Sequence, residues 1–458
     1  MRRKIYFIGI GGIGMSAVAG LAKARGYDVC GSDSGKIYEP SKSILEKYKI
    51  VCLPGAAAEN IDNAKPDTVV ATSAADLTNP EVARALELKI PVLSFPQLLA
   101  ELTKDKRKIV VVGTHGKSTT SGILGFALKN LNDSSFFVGG VLANTESNFY
   151  LGAGPDFVIE GDEYKSSYND RRPKFLHYSP DILLINNIEL DHPDIYPTFE
   201  DFKKQFLILA ESMPANATII YNADDPAVIE AVKNACAKKI PFSYSDLKNF
   251  NFTARLPGKI YAYDYLGAAK VLQELGFAFK QFKGLLEEFS GIRRRFEIIY
   301  DSNSAESRAG GGFTVIDDYA HHPTAVLRTL EAAREKYGRR RIICFFEPHT
   351  FSRTKETLPD LAKSFVPADI AYIAEIYSAR EQGKDFKISG QDAAAAVSEY
   401  NARIGAKTQT FFVENANAAF ENYSKIKQPG DVLIIMAVGE FHELAYKIKA
   451  LATEKVGA

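Results

Sequence analysis

The sequence predicts an α/β protein in which three domains follow one another along the chain. Short apolar runs alternate with helical patterns over most of its length, and two glycine-rich turns each connect such a run to a helix. Strand–helix alternation of this kind builds parallel sheets with helices on their faces. With 458 residues, the chain is also too long for one hydrophobic core and suits two or three domains.

The first domain is predicted over residues 1–105 and ends in a charged stretch, 103–108, that has no apolar periodicity and resembles a linker. The pattern predicts strands at 4–9, 27–31, 68–72 and 92–94, and helices at 15–24, 42–48, 80–87 and 96–102.

The second domain is predicted over residues 106–298 and the third over 299–458. Residues 301–312 (DSNSAESRAGGG), which precede the first predicted strand of the third domain, are polar and are expected to be flexible and exposed. The second domain has predicted strands at 109–112, 157–160, 182–187 and 218–221, and helices at 263–275 and 282–288. The third has predicted strands at 313–316, 341–346, 370–376, 408–412 and 432–436, with helices between them.

The composition argues against several classes of protein. Lysine plus arginine equals aspartate plus glutamate, 56 each, so no broad basic surface for nucleic acid or anionic lipid is expected. The four cysteines form no CxxC pair, which disfavours a disulfide framework or a structural zinc site. The apolar amino-terminal run is interrupted by glycines, and no stretch reaches the roughly 18 apolar residues of a membrane span. We expect a soluble, cytoplasmic protein, monomeric or weakly dimeric.

The most specific motif is VVGTHGKST at residues 111–119, which follows a predicted strand and precedes a helix. A glycine-rich turn there points backbone N–H groups at a phosphate, and the helix amino terminus adds partial positive charge. Lys117 can reach the outer phosphates and the Ser118 hydroxyl can ligate Mg²⁺. The spacing is shorter than in GxxxxGK[ST], because Gly113 lies only four residues before Lys117. The motif predicts triphosphate binding by Gly113, Thr114, His115, Gly116, Lys117, Ser118 and Thr119.

A second glycine-rich turn, GIGGIG at residues 9–14, has the GxGxxG form after the first predicted strand. Asp33 follows the next strand, where a Rossmann domain binds a ribose hydroxyl. Alone, this pattern fits an NAD-type cofactor, another nucleotide diphosphate or a merely structural turn. The triphosphate motif in the next domain argues against hydride chemistry. The candidate ligand-binding residues are Gly9, Gly11, Gly12, Gly14 and Asp33.

Acidic residues and a histidine follow two strands of the predicted second domain. EGDE at 160–163 ends one strand, and NNIELDH at 186–192 ends another. Ligands of open parallel sheets bind at this edge, and carboxylates with a histidine suit Mg²⁺ or Mn²⁺ held between ATP and a second substrate. Singly, Glu160 or His192 is more often a surface or capping residue. Their joint position downstream of the phosphate loop favours a metal site.

A last group of polar residues lies in and just before the third domain. Three arginines occupy 293–295, DDYAHHP at 317–323 follows the first strand, and EPHTFSRT at 347–354 follows a later strand. Arginine can clamp a phosphoryl group or a carboxylate by two parallel hydrogen bonds. A solvated basic turn explains the arginines equally well, and a satisfied turn histidine explains the histidine pair equally well.

In this order, the motifs resemble those of the Mur ligase family, which builds the stem peptide of bacterial peptidoglycan, over nearly the whole chain. FIGIGGIGMS and GSD at 31–33 look like the UDP-binding domain of the branch that acts on UDP-N-acetylmuramate. GTHGKSTT, EGDE, NNIELDH and NADDP look like its ATPase domain, and RRRFE, DDYAHHPT and EPHTFSRT look like its junction and last domain. The resemblance implies a Rossmann-like amino-terminal domain, a P-loop ATPase central domain and a Rossmann-like carboxy-terminal domain.

The resemblance also implies roles for individual residues. In this family a muramoyl carboxylate attacks the γ-phosphate of ATP, and an amine then attacks the acyl phosphate, chemistry that depends mainly on positioning and charge neutralisation. Lys117 and Ser118 would hold the phosphates and a first Mg²⁺ with Glu160, and His192 would hold a second. The implied ATP contacts of the third domain are Arg295 and Asp318, and the implied amino-acid-binding residues are Tyr319, His321, His349 and Arg353.

The motifs leave two candidates for the amine that acts as the nucleophile. PHTFSRTKE and AEIYSARE at 374–381 resemble ligases that add L-alanine, whereas EPSKSILEKY at 39–48 and EGDEYKSSYNDRRPKFLHYSP at 160–180 resemble recycling ligases that attach L-alanyl-γ-D-glutamyl-meso-diaminopimelate. Both use UDP-N-acetylmuramate. We favour L-alanine because the third domain binds the nucleophile in this family and carries the alanine-type motif. An interpretation of another class, a non-catalytic UDP-sugar and nucleotide regulator, predicts damaged phosphate or metal residues, and these are intact.

The chain departs from the family pattern at three places. The usual HN pair near 259–261 reads Ile260-Tyr261, so the family's adenine contacts do not carry over. The central domain is short between residues 246 and 256, which suggests a trimmed peripheral sheet. Phe206 occupies the place of a carbamylated lysine that several relatives use, so a second metal needs other support.

Overall fold

A computed structural model describes residues 3–192, 195–302, 312–378, 381 and 386–453, and it confirms the predicted α/β class. The described residues form two compact units: one runs up to Arg255 and includes Tyr263–Ile292, and the other comprises Leu256–Ala262 and the residues from Arg293 onward. Most of the predicted flexible connection, residues 303–311, lies outside the described part. No helix within the described ranges has both the length and the apolar character needed to cross a bilayer.

The first unit begins with a five-stranded parallel sheet. Its elements are β1 Lys4–Ile8, α1 Ile13–Ala24, β2 Asp28–Asp33, α2 Ser41–Lys47, β3 Val51–Pro54, α3 Ala58–Ala64, β4 Thr68–Ala71, α4 Pro80–Glu87, β5 Val92–Ser94 and α5 Phe95–Leu102. The strand order β3-β2-β1-β4-β5 places β1 at the centre, where helices cover both faces and the strand is almost wholly apolar. The sequence pattern missed β3 and α3, because β3 is a half-exposed edge strand and α3 buries only Ile61.

A seven-stranded sheet follows in the same unit. Its elements are β6 Arg107–Val112, α6 Lys117–Asn132, β7 Ser135–Leu142, β8 Ser147–Tyr150, β9 Asp156–Glu160, β10 Ile182–Ile185, α7 Phe199–Glu211, β11 Thr218–Asn222, α8 Pro226–Val232, β12 Lys238–Phe242, α9 Lys259–Glu274 and α10 Phe279–Glu288. The part of α9 that precedes Tyr263 is counted with the second unit. The order β12-β11-β10-β6-β9-β7-β8 places β6 between β9 and β10, so the segments that follow these three strands meet at one edge. The predicted linker, which ends at residue 108, extends too far along the chain. Arg107 already belongs to β6, pairing with β9 and binding the Asp156 carboxylate at 2.6 Å.

Helix α1 packs directly against the antiparallel hairpin formed by β7 and β8. Gly20 makes this approach possible, because a Cβ atom there would lie 2.5 Å from the ring of Phe149 in β8. Gly14 in the first turn of α1 lies close to the rings of Phe95 and Phe137. One continuous apolar core therefore joins both sheets of this unit and fixes the first glycine-rich turn relative to the second sheet.

The second unit is built on a six-stranded sheet. Its elements are β13 Glu297–Asp301, β14 Thr314–Asp318, α11 Pro323–Tyr337, β15 Ile342–Phe346, α12 Phe351–Leu361, β16 Ile370–Ala374, α13 Gly390–Ile404, β17 Gln409–Val413, α14 Ala416–Ile426, β18 Val432–Met436 and α15 Glu443–Thr453. The order is β13-β14-β18-β15-β16-β17, with β13 antiparallel and the other strands parallel. Strand β13 was not predicted, because it is a partly exposed edge strand that directly follows a basic segment.

A fully buried carboxylate stabilises the first sheet. Glu81, in the first turn of α4, is 0% exposed and accepts hydrogen bonds from the Tyr6 hydroxyl (2.7 Å), the Ser32 hydroxyl (2.6 Å) and the Asn60 amide (2.7 Å). These donors come from β1, β2 and α3. The Ser32 carbonyl in turn accepts the Gly9 N–H at 2.9 Å, so the Glu81 cluster supports the first glycine-rich turn.

We predict that Glu81→Ala lowers the free energy of unfolding by about 3–5 kcal/mol, because several buried donors lose their acceptor. Chemical denaturation monitored by circular dichroism would measure the change. Glu87→Ala on the same helix is the matched control: its side chain is 69% exposed, and we expect a change within about 0.5 kcal/mol. Equal losses in the two variants would contradict the assigned role of Glu81.

Candidate active site

The turn between β6 and α6 has a backbone conformation that requires glycine at two positions. Gly113 has φ +137° and Gly116 has φ +80°, values that side-chain-bearing residues rarely adopt. A Cβ atom on Gly116 would also lie 2.1 Å from an Asp264 carboxylate oxygen. The turn therefore matches the predicted phosphate loop, with Lys117 as the first residue of α6.

The segment that follows β10 fastens this loop on one side. The Thr114 hydroxyl donates to the Glu189 carbonyl at 2.7 Å and accepts the Glu189 N–H at 2.8 Å. The His115 N–H donates to the Asn187 side chain at 2.8 Å, and its ring Nε2 lies 2.8 Å from the Glu189 carboxylate. Asn187 and Glu189 thus shape the loop, although their residue types alone had suggested a metal site.

A buried polar cluster supports the loop from behind. The Thr120 hydroxyl donates to the Asp264 carboxylate at 3.0 Å and accepts the Asn186 amide at 2.9 Å. All three side chains are at most 2% exposed. Asp264 lies on α9, far away in the sequence, and sequence analysis missed it because a single acid in an aromatic helix carries no motif. Thr119, predicted to bind nucleotide, is also buried in α6.

The Lys117 ammonium is fully engaged. Its Nζ atom donates to the carbonyls of Gly113 (2.6 Å) and Thr114 (2.9 Å) and lies 2.9 and 3.1 Å from the two carboxylate oxygens of Glu163. Burial alone would lower the pKa of Lys117, but the charges of Glu163, Glu160 and Asp162 outweigh it, and the pKa is raised. Lys117 therefore carries a positive charge at neutral pH.

The predicted metal ligands Ser118 and Glu160 lie side by side. The Ser118 hydroxyl donates to one Glu160 oxygen at 2.8 Å, while the Gly139 N–H donates to the other oxygen at 2.6 Å. A hydroxyl next to a carboxylate, beside a phosphate loop, is the hard oxygen donor set that Mg²⁺ prefers. These residues fit the predicted first metal site.

His192 also has acidic neighbours. Its Nε2 atom lies 3.3 Å from Glu163 Oε1 and 3.8 Å from Asp191 Oδ2, and potential ligand atoms of the three residues lie within 4.8 Å of one another. Phe206 is fully buried against Phe175 and Phe202, so it supplies no ligand. Carboxylates next to His192 therefore come from Glu163 and Asp191. Glu163 is the functional candidate that sequence analysis missed, since it was noted only as part of EGDE.

A second charged pair lies beside this group. Lys174 is largely buried and contacts the Asp162 carboxylate, with its ammonium 5.2 Å from the Phe95 ring centre and 5.6 Å from that of Tyr164. Burial acts to raise the pKa of Asp162, but Lys174 and a backbone N–H lower it well below its usual range. Because Phe95 belongs to α5, Lys174 bridges the two sheets of the first unit.

The first glycine-rich turn is closed by Asp33. One Asp33 oxygen accepts the Gly11 N–H at 2.8 Å and the other accepts the Gly35 N–H at 2.9 Å. Gly9 has φ +76°, and Gly12 precedes α1 as its N-cap. Asp33 thus shapes the turn, and each of its oxygens keeps a lone pair for a ligand hydroxyl. Its predicted ribose contact stays a prediction.

In the second unit, the predicted amino-acid-binding residues contact one another. The His321 ring lies 5.5 Å from the Tyr319 ring and 5.3 Å from the His349 ring, and His349 Nδ1 lies 2.9 Å from an Arg353 guanidinium nitrogen. Thr350, between them in sequence, has φ +63°, a strained value for a β-branched residue. Residues 379 and 380 of the motif AEIYSARE at 374–381 lie outside the described part.

The two aspartates at the end of β14 have different surroundings. Asp318 accepts the N–H groups of Phe296 (2.7 Å) and Ala320 (2.6 Å), and Arg295 lies over the Tyr319 ring at 5.1 Å. Burial is the largest cause that raises the pKa of Asp318. Asp317 is 0% exposed and faces Arg294 at 3.5 Å. Burial raises its pKa to about 7, with Asp318 and Glu297 adding to the shift and Arg294 opposing it.

Three family models match the chain. The model "Mur ligase family, catalytic domain" matches residues 4–107, "Mur ligase middle domain" matches 111–260, and "Mur ligase, glutamate ligase domain" matches 294–439.

Similar proteins cover the whole chain. A protein of Sulfurihydrogenibium named UDP-N-acetylmuramate--L-alanine ligase is 34% identical over 474 residues, which cover 99% of this chain and 98% of the relative. The solved UDP-N-acetylmuramate-alanine ligase of Thermotoga maritima has a TM-score of 0.76 at 23% identity, covering 99% of both chains. A solved murein peptide ligase of Psychrobacter arcticus has a TM-score of 0.68 at 24% identity, covering 98% of both.

We predict that Gly116→Ala weakens binding of an ATP analogue at least about tenfold, because the new methyl group collides with Asp264 and strains the backbone. Titration calorimetry would measure the affinity. Gly284→Ala in α10 is the control: nothing lies within 4 Å of its added Cβ atom, so nucleotide affinity should not change. Unchanged affinity in Gly116→Ala would show that this turn is not the phosphate site.

The raised pKa of Asp317 predicts a pH-dependent stability. Folded Asp317 stays protonated up to about pH 7, whereas the unfolded chain ionises near pH 4, so its contribution is complete below pH 4 and is lost as the pH rises to about 7. The free energy of unfolding of Asp317→Asn, measured relative to that of the wild type, should therefore be on the order of 3 kcal/mol higher at pH 8 than at pH 4. Thermal unfolding at both pH values tests this. Asp360→Asn, at a side chain that is 70% exposed, should show no such gain, and a flat difference for Asp317→Asn would refute the assignment.

Proposed function

The chain belongs to the Mur ligase family, and on that premise we propose that it is an ATP-dependent ligase that joins L-alanine to UDP-N-acetylmuramate. The observation that carries the proposal is the assembly of Lys117, Ser118, Glu160 and His192 around one phosphate loop. The relative named for this activity aligns with the chain from end to end, which supports the same acceptor and the same nucleophile.

The geometry of the loop supports ATP binding. The turn leads directly into the amino terminus of the 16-residue helix α6, which supplies partial positive charge for the phosphates, and Lys117 adds a full positive charge. Asn187 and Glu189 hold the loop in one shape through their contacts with His115 and Thr114. A preformed loop lowers the ordering cost of binding. The assignment of Arg295 and Asp318 to ATP contacts stays a prediction.

Mg²⁺ is the cation we propose for this site. Ser118 and Glu160 would hold one ion, and His192 with nearby carboxylates would hold a second. When bound, such ions neutralise charge on the transferring phosphoryl group. The residues themselves order the reactants: the glycine-rich turn at 9–14 binds the UDP part of the acceptor, and the core joining the two sheets holds that turn at a constant position relative to the phosphate loop.

For the amino acid, we propose the cluster of Tyr319, His321, His349 and Arg353. Arg353 is 7% exposed, and its guanidinium is oriented by the His349 ring. A held guanidinium can bind the carboxylate of L-alanine by two parallel hydrogen bonds. The amino group of L-alanine would then be free to attack the activated muramoyl carbonyl.

We place this reaction in the cytoplasm, where ATP and UDP-linked sugars are available. The earlier expectation of a monomer or weak homodimer stays a prediction.

Phosphate release from ATP, measured with UDP-N-acetylmuramate and Mg²⁺, tests the proposal. L-Alanine should support the fastest turnover, L-serine and glycine slower turnover, and L-alanyl-γ-D-glutamyl-meso-diaminopimelate none above background. Reactions without the sugar nucleotide should release no phosphate and serve as the control. Turnover with the tripeptide but not with L-alanine would make the chain a recycling ligase instead, and binding of both nucleotides without turnover would favour a regulator.

A further inference from the structure

Glu163 lies between two groups that the reaction uses separately. One of its carboxylate oxygens, Oε1, is 3.1 Å from Lys117 Nζ and 3.3 Å from His192 Nε2. The residue is 3% exposed, and its backbone carbonyl accepts the Tyr196 hydroxyl at 2.7 Å, which fixes its position. Glu163 therefore faces the phosphate-binding cation and the metal-binding histidine with the same atom.

On the Lys117 side, all donors are in use. An ammonium group has three N–H donors, and the carbonyls of Gly113 and Thr114 together with the Glu163 carboxylate accept them. ATP phosphates that bind Lys117 must therefore compete with at least one of these acceptors. The Glu163 carboxylate carries the same sign of charge as the phosphates and is the natural one to be displaced.

On the His192 side, the neighbouring side chains are of the types that bind a divalent cation. Imidazole nitrogen and two carboxylates from Glu163 and Asp191 can each offer a ligand atom within a 4.8 Å span. Because Phe206 supplies no ligand, Glu163 is the buried carboxylate best placed to complete a site at His192. Glu163 Oε2 lies 2.9 Å from Lys117, and Oε1 is shared between Lys117 and His192. An ammonium and a divalent cation that both contact Oε1 would repel each other, so a cation at His192 weakens the contact of Glu163 with Lys117.

We propose that Glu163 is an exchange ligand, bound to Lys117 without nucleotide and transferred to a divalent cation at His192 when ATP takes Lys117. A buried carboxylate that loses its ammonium partner needs a new cation, so ATP binding raises the affinity for the second cation, and the cation raises the affinity for ATP. This inference rests on the proposed function and deepens it: the second metal is recruited only after the nucleotide.

The exchange predicts changes of opposite sign in Glu163→Gln. Without divalent cations, ATP should bind about tenfold more tightly than to the wild type, because the competitor for Lys117 has lost its charge. In the presence of a non-hydrolysable ATP analogue, the Mn²⁺ stoichiometry should fall from two ions to one, since the second site has lost a carboxylate. Titration calorimetry in EDTA measures the first quantity, and electron paramagnetic resonance of free Mn²⁺ measures the second.

Two further variants separate exchange from a general structural effect. Glu200→Gln, at a side chain that is 72% exposed in the same unit, should change neither quantity. Asp191→Asn, on the His192 side, should lower the Mn²⁺ stoichiometry without tightening cation-free ATP binding, and it tests the same site should Glu163→Gln not fold.

The proposal is overturned if Glu163→Gln weakens cation-free ATP binding, leaves it unchanged, or keeps two Mn²⁺ ions. It is equally overturned if Asp191→Asn tightens cation-free binding. A wild-type protein that binds no ATP would overturn the proposed function and this inference with it. A wild-type protein that binds ATP while Glu163→Gln behaves like Glu200→Gln would overturn this inference alone.

Discussion

The ion pair between Lys117 and Glu163 is the interaction on which the rest of the site depends. A lysine at the head of a helix, mostly removed from water, is stable only if a carboxylate compensates its charge, and removing one member of such a pair costs about 3–5 kcal/mol. Glu163, just beyond β9, meets this need, because its carboxylate lies 2.9 Å from the ammonium of Lys117, the first residue of α6. On our proposal, phosphate binding exchanges the Glu163 carboxylate for a phosphate at the positive charge of Lys117.

Sheet topology explains why these groups meet. Because β6 lies between β9 and β10, the phosphate loop is flanked by the two segments that carry the acids and His192. Each flank has a distinct task. The segment after β10 shapes the loop through Asn187 and Glu189. The last residue of β9, Glu160, and the segment after it, with Glu163, supply negative charges. In an open parallel sheet this edge is where ligands bind, and here it combines the groups that we propose bind the phosphates with those that we propose bind the cations.

Much of the fold could be read from the sequence, and part of the site could not. Buried central strands such as β18 were predicted to the residue because they are continuous apolar runs, whereas the edge strands β3 and β13 lack that signal. The phosphate loop was recognisable because glycines and a lysine must occupy fixed positions. Asp264 and the pairing of Glu163 with Lys117 arise from contacts distant in sequence, which spacing does not encode.

The most direct test of the account follows the γ-phosphate of ATP in a single turnover with UDP-N-acetylmuramate and no amine. Labelled phosphate should become attached to the carboxylate of the sugar nucleotide as an acyl phosphate, and ADP should appear in equal amount. Borohydride should then reduce the acyl phosphate to the corresponding alcohol and release the labelled phosphate, so that the alcohol records the intermediate. Lys117→Ala should show neither product while still binding the sugar nucleotide. ADP formed without label on the sugar acid, or transfer that persists in Lys117→Ala, would contradict the central claim.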